Sequence, residues 1–251
     1  MLRTSSPLIG ALDFAIPKMS KSPKFSESHA VRGYLRLMYE LVVRIDLVAH
    51  ACEGRLNLAP PYAREYCYLQ FRRMCELIAL GCLQLHGDLP SARSGGVAKE
   101  WHAEKIMRRL QKEHPHSFPQ CVSRSEVNGI ANLIANSKPN ALSFTQFRSL
   151  YHECGEALHR GTIKSIGNET HPGPAEYERL LAWQARIVDL MNQHFVARSG
   201  TAGLYFVTLK SENGLPACSV FSKFSEGTIE IANYNLTLEE DGNLKDEFRE
   251  I

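Results

Sequence analysis

The stretch Tyr62–His86, YAREYCYLQFRRMCELIALGCLQLH, limits what this chain can fold into more than any other. On a helix, Cys67, Phe71, Met74, Ile78, Cys82 and Leu85 fall on one face at steps of three and four residues. The opposite side is not plainly polar, because Leu69, Leu80 and Leu83 share it with Glu65, Arg72 and Glu76. A helix that is apolar nearly all round must be covered on most sides. The run Leu77–Leu85 carries no charge, yet it is shorter than the about 20 apolar residues that span a bilayer. The segment therefore reads as the central helix of a soluble bundle.

Arg72 and Glu76 stand at i and i+4 and can pair along this helix, with Arg73 to one side. In one reading they form a structural ion pair on a partly buried helix. Such a pair adds little net stability, although losing one partner costs roughly 3–5 kcal/mol when it is fully buried. In the other reading the pair lines a polar pocket and orients a neighbouring group.

The chain of 251 residues has room for one large domain, or for one of about 200 residues with a small appendage. Its net charge of +2 gives no global pull toward nucleic acid or anionic membrane, so any basic surface must be local. No CxxC pair occurs among the seven cysteines. Cys52, Cys67, Cys75 and Cys82 lie in helical patterns and act there as small apolar residues. That usage suits a reducing compartment better than a disulfide framework or a zinc ribbon. Near the N-terminus, LIGALDFAI is interrupted by Asp13 and followed by Pro17 and Lys18, unlike a signal peptide. A cytoplasmic protein with no membrane segment is expected.

In chain order, residues 1–25 read as a flexible arm, 26–198 as a helical bundle, 199–240 as a small β appendage and 241–251 as a charged tail. Ser26 or Ser28 caps a first helix reaching about Asn57, and Pro60 and Pro61 start the central one, which gives an antiparallel hairpin. A third helix runs from about Val97 to Glu113, with Trp101, Ile106 and Leu110 inward and Lys105, Arg108, Arg109 and Lys112 exposed. That basic face is the best local candidate for phosphate contacts. Residues 122–142 show no clear period. Ser143 with Gln146 fits a capping box, Gly161 a C-terminal stop, and Pro174 the start of a last helix whose stripe includes Phe195. From Gly203 the period falls to two, so GLYFVTLK and ACSVFSKF form a hairpin with TIEIANYNL as a third strand. The fold class is thus mainly α: an antiparallel bundle with a small C-terminal β-hairpin or meander.

The most suggestive polar set is Arg148, His152, Glu156 and His159, which share one helix face at steps of four, four and three. An imidazole beside a carboxylate and a guanidinium can serve acid–base work or phosphate binding. The same spacing also fits a merely wet surface. Glu156 and His159 form an ExxH, half of a di-iron motif, but the second half and the two further glutamates are missing, so no metal or other cofactor is expected. P-loop, GxGxxG, HExxH and GxSxG motifs are absent.

The long antiparallel helices, the LQFRRMCELIAL core and the late YHECGEALHRG helix resemble HEPN-type helical domains and related uncharacterised bacterial proteins. The resemblance covers roughly residues 30–196. It implies a helical, often dimeric domain whose catalytic members are metal-independent ribonucleases carrying an arginine, four to six residues, then a histidine. His159 would be the matching histidine, with Arg148 and Arg160 holding phosphate. The three slots for the arginine, however, hold His152, Glu153 and Cys154, while Arg44 to His50 and Arg108 or Arg109 to His114 match the spacing elsewhere. The expected function is a non-catalytic binding or regulatory module. Its partner would be RNA, another protein or a second copy of the chain, engaged through a bundle face or the β edge. Two alternatives stand: a HEPN-type ribonuclease, and a purely structural protein whose polar face fixes helix register.

Overall fold

The computed structural model describes residues 25–93, 99–128, 130–159, 172–199, 203–225, 228–239 and 244–250. The helices are α1 (Glu27–Cys52), α2 (Pro60–Leu85), the short α3 (Pro90–Arg93), α4 (Ala103–Glu113), α5 (Phe144–Leu158) and α6 (Pro174–Met191). The strands are β1 (Gln120–Val127), β2 (Ile130–Ala135), β3 (Gln193–Ala197), β4 (Gly203–Thr208), β5 (Ala217–Ser225), β6 (Thr228–Leu238) and β7 (Leu244–Glu250). All seven strands join one sheet in the order β2-β1-β3-β4-β5-β6-β7, and every neighbouring pair is antiparallel.

This overturns the expected class. The fold is α+β, because the sheet is a full layer rather than a small appendage. The expected boundary at 198/199 passes through that layer, since β3 pairs with both β1 and β4. β2 and most of β1 lie in the unread segment 122–142, and part of the presumed tail is β7, paired along β6. Phe195 belongs to a strand, not to the last helix. Residues 1–24 of the expected 1–25 arm and the stop at Gly161 lie outside the described residues.

Alternation explains why one face of the sheet is apolar. The inward row Cys121, His194, Val207, Cys218 and Tyr234 is buried throughout, and so are Val196, Tyr205 and Val220 in the next row. Helices α1 and α6 cover this face, and α2 lies beyond them, flanked by α4 and α5. The central helix is as the sequence requires: Cys67, Phe71, Met74, Ile78, Cys82 and Leu85 are all buried. The expected capping box forms, with the Ser143 hydroxyl accepting from the Gln146 amide and the Gln146 side chain accepting from the Ser143 amide. No described helix is long and apolar enough to cross a membrane.

One contact chain runs through the layers. A Cβ at Gly81 would stand 2.7 Å from the Tyr34 ring, so this glycine of α2 lets the ring of α1 lie against its backbone. The Tyr34 hydroxyl then meets His194 Nε2 of β3 at 2.6 Å, while His194 Nδ1 lies 2.8 Å from the Met191 carbonyl. The two bonds fix the tautomer: Nδ1–H donates to the carbonyl, and the bare Nε2 accepts from the tyrosine.

Burial pushes the His194 imidazole down from 6.5 to about 4, against the opposing pull of the Met191 carbonyl. Above about pH 6.5 the ring is neutral in both folded and unfolded chains, and its contribution to stability is whole. Between 6.5 and about 4 only the unfolded chain takes up the proton, so stability falls as pH falls, by about 3 kcal/mol over the window. Urea unfolding at stepped pH should show this loss. His194→Gln, although less stable at neutral pH, should lose most of the slope; an unchanged slope in the variant contradicts the assignment.

Candidate functional site

A polar and aromatic group gathers where α2, α4 and α5 meet. From α2 it takes Arg72, Arg73 and Glu76, while Arg64 of the same helix pairs with Glu176 of α6. From the entry to α4 it takes Trp101, His102 and Glu104. The spacing of α5 adds Arg148, Tyr151 and His152 on one face.

Glu104 is the centre of the ionic part. Its side chain is only 8% exposed, yet its Oε1 accepts from Arg148 Nε at 2.8 Å and pairs with Arg108 Nη2 at 2.8 Å. Its other oxygen lies 2.9 Å from His152 Nε2. Burial by itself would raise the Glu104 carboxyl. The Arg148 hydrogen bond and the charges of Arg108, Arg148 and His152 outweigh it and hold the group below its ordinary value.

The aromatic part is built on Arg72. Its guanidinium lies 5.9 Å from the centre of the Trp101 ring and 5.4 Å from that of Tyr151. Arg72 Nε donates to Glu76 Oε1 at 3.4 Å, and Arg73 Nη1 donates to Glu76 Oε2 at 2.9 Å. The structural ion pair is therefore present, and it also aims a guanidinium between two rings. His102 stacks edge-on to Tyr151 with centroids 4.9 Å apart. The Glu100 carboxylate accepts from the His102 amide at 3.1 Å, which fixes the backbone beside Trp101. That bond, aided by the charges of Lys105 and Arg109, holds the Glu100 carboxyl below its ordinary value. Beneath this surface, His102 Nδ1 and Tyr151 Oη are buried with no hydrogen-bond partner among the described residues.

Trp101 is 61% exposed, contrary to the inward position expected of it. It precedes the first helical turn, so the 3.6-residue stripe of α4 does not reach it. Lys105, Arg108, Arg109 and Lys112 are exposed as expected. The predicted face of α5 divides. Arg148 and His152 meet on Glu104, whereas Glu156 and His159 are exposed and bonded through their side chains to no described residue. His159 follows Arg148 by eleven residues, roughly 16 Å along the axis at a rise of about 1.5 Å each. Arg160 lies outside the described residues. Among the described residues no cluster of three or more His, Cys, Asp or Glu could hold a metal ion.

Sequence reasoning passed over Glu104, His102 and Tyr151. Glu104 carries a signal, as the i−4 partner of Arg108 and an acid at the start of a basic helix. A cleft of about 280 Å³ lies elsewhere, where Gln111, His116, Gln120, Asn136 and Lys138 share the lining with Phe118 and others. No protein-family model matches this chain, nor does any curated protein or solved structure.

Replacing Glu104 by Gln keeps the shape but leaves Arg148, Arg108 and His152 around a neutral amide. Their side chains are 36%, 56% and 63% exposed, so water screens much of the loss. Urea unfolding at neutral pH should show a drop of about 1–2 kcal/mol. Wild-type stability in the variant would mean that the carboxylate does not hold α4 to α5.

Proposed function

We propose that this chain is a binding module for single-stranded RNA, with no catalytic step at His159. The observation that carries the reading is the Arg72 guanidinium set between Tyr151 and the exposed ring of Trp101. An accessible indole beside a fixed guanidinium offers an unpaired base a face to stack on. The neighbouring cations of Arg73, Lys105, Arg108, Arg109 and Lys112 line a path for the phosphates that follow. Stacking of this kind needs no base-specific hydrogen bond, so the preference is for unpaired RNA rather than for one sequence.

The alternative, a HEPN-type ribonuclease using His159, is less well supported. Of the arginines assigned to it, Arg148 is held by Glu104 well up the helix from His159. It remains the reading to which RNA cleavage would point.

Fluorescence anisotropy with a labelled single-stranded oligoribonucleotide, in chelator and at low salt, tests the proposal. The account predicts binding that weakens about tenfold in Trp101→Ala and in Arg72→Gln. In Arg109→Gln the salt slope should become shallower by about 0.7. An oligonucleotide of the same sequence annealed into a duplex should bind more weakly. Absence of binding, or equal binding by Trp101→Ala, contradicts it. Cleavage under chelator that disappears in His159→Ala would put the ribonuclease in its place.

A further inference from the structure

The turn between α1 and α2 brings two thiols together. Cys52 is the last residue of α1, and Cys67 stands in the first half of α2. Their sulfurs are 3.9 Å apart, so an approach of roughly 2 Å along the line between them gives the length of a disulfide. They also differ in access: Cys52 is half-buried, and Cys67 is fully buried, as are Cys75, Cys82, Cys121, Cys154 and Cys218. An oxidant in solution therefore meets one sulfur of the seven first, and that sulfur already has a second thiol at hand.

From this arrangement we infer that Cys52 and Cys67 form a peroxide-responsive dithiol, in which Cys52 is attacked first and Cys67 resolves it into a reversible disulfide across the α1–α2 turn. The Cys67 S–H can donate to Cys52, and this hydrogen bond lowers the Cys52 thiol against burial and the Glu53 charge. The same contact, with burial, raises the Cys67 thiol. Cys52 is thus the better nucleophile of the two.

The chemistry balances with hydrogen peroxide as the oxidant. The Cys52 thiolate attacks the peroxide, an S–O bond forms, the O–O bond breaks, and hydroxide leaves. Sulfur is oxidised to the sulfenic acid as the peroxide is reduced. Cys67 then attacks the Cys52 sulfur, the S–S bond forms, the S–O bond breaks, and the departing hydroxide leaves as water with the Cys67 proton. In sum, two thiols and one peroxide give a disulfide and two waters. A small thiol entering from the half-exposed Cys52 side reverses the step by exchange. A disulfide in a reducing compartment is transient and so suited to signalling peroxide rather than to holding the fold permanently. When formed it closes the turn next to Pro60, whose carbonyl accepts from the Tyr177 hydroxyl of α6.

The full-length reduced protein, desalted and treated with equimolar hydrogen peroxide, tests this. Alkylation under denaturing conditions should then label five of the seven thiols, and peptide mapping should find Cys52 joined to Cys67. The melting temperature should rise by about 5 °C, and a thiol reductant should restore both readings. In Cys67→Ser, oxidation should stop at a Cys52 sulfenic acid that dimedone traps; in Cys52→Ser, no disulfide should form. The inference is overturned if all seven thiols are labelled after peroxide treatment, if the linked pair is a different one, or if dimedone labels Cys67→Ser elsewhere.

Discussion

A tyrosine hydroxyl buried between two layers has to find an acceptor there, and Tyr34 finds it across the layer boundary. Its ring rests on the bare backbone of Gly81 of α2, and its hydroxyl meets His194 of β3 at 2.6 Å. An unmade bond at this depth would cost about 1–3 kcal/mol, so the layers are held to one relative position rather than left to slide on an apolar interface. The neutral state of His194 is part of this. Its Nε2 can accept only because burial keeps the ring unprotonated and the Met191 carbonyl holds the other nitrogen's hydrogen. Helices and sheet accordingly share one core, in which Tyr34 and Met38 from the helices belong with Tyr205, Val220 and Leu236 from the sheet.

Fixing α1 on the sheet determines what α2 offers to the outside. Its sulfur- and aromatic-rich stripe is consumed by α1, α4 and α5, while Arg72 and Arg73, held by the buried Glu76, lie beside the start of α4. There the structure uses carboxylates to immobilise guanidiniums, Glu104 for Arg148 and Glu76 for Arg72. A guanidinium held in this way has lost its rotamer freedom before any ligand arrives, and that lowers the cost of stacking a base on it. The exposed indole of Trp101 is the complementary half, placed by a backbone that the Glu100 carboxylate ties down.

Much of the helical half was legible because its signals are local and periodic. The α2 stripe, the proline start of α6 and the Ser143–Gln146 box depend on neighbours within one turn, and each appears where the spacing puts it. The sheet was legible only where alternation was strict, in β4 to β6. In β1, Ser123 and Ser125, on the face of Cys121, alternate with Arg124 and Glu126, so no apolar period marks the strand, and its partner β2 is an uncharged edge. Asn128-Gly129 between them was the available hairpin signal, and Asn128 has the positive φ of 55° that such a turn requires. Phe195 was misassigned because an apolar residue four after Met191 continues a helical stripe as readily as it begins a strand. The site was half legible: Arg72, Glu76, Arg148 and His152 were chosen for spacing within their own helices. Glu104 and Tyr151, which join those helices, act through contacts that only the tertiary fold creates.

If helices and sheet are one cooperative body centred on α2, the amides of both layers exchange through the same opening. Native-state hydrogen exchange across increasing urea measures this directly. The account predicts that amides of Met74–Cys82 in α2 and of β3, β4 and β5 converge on one opening free energy, equal to that of global unfolding. Exchange of the β3–β5 amides at a distinctly lower free energy, while α2 stays protected, would show a separable sheet and contradict the shared core.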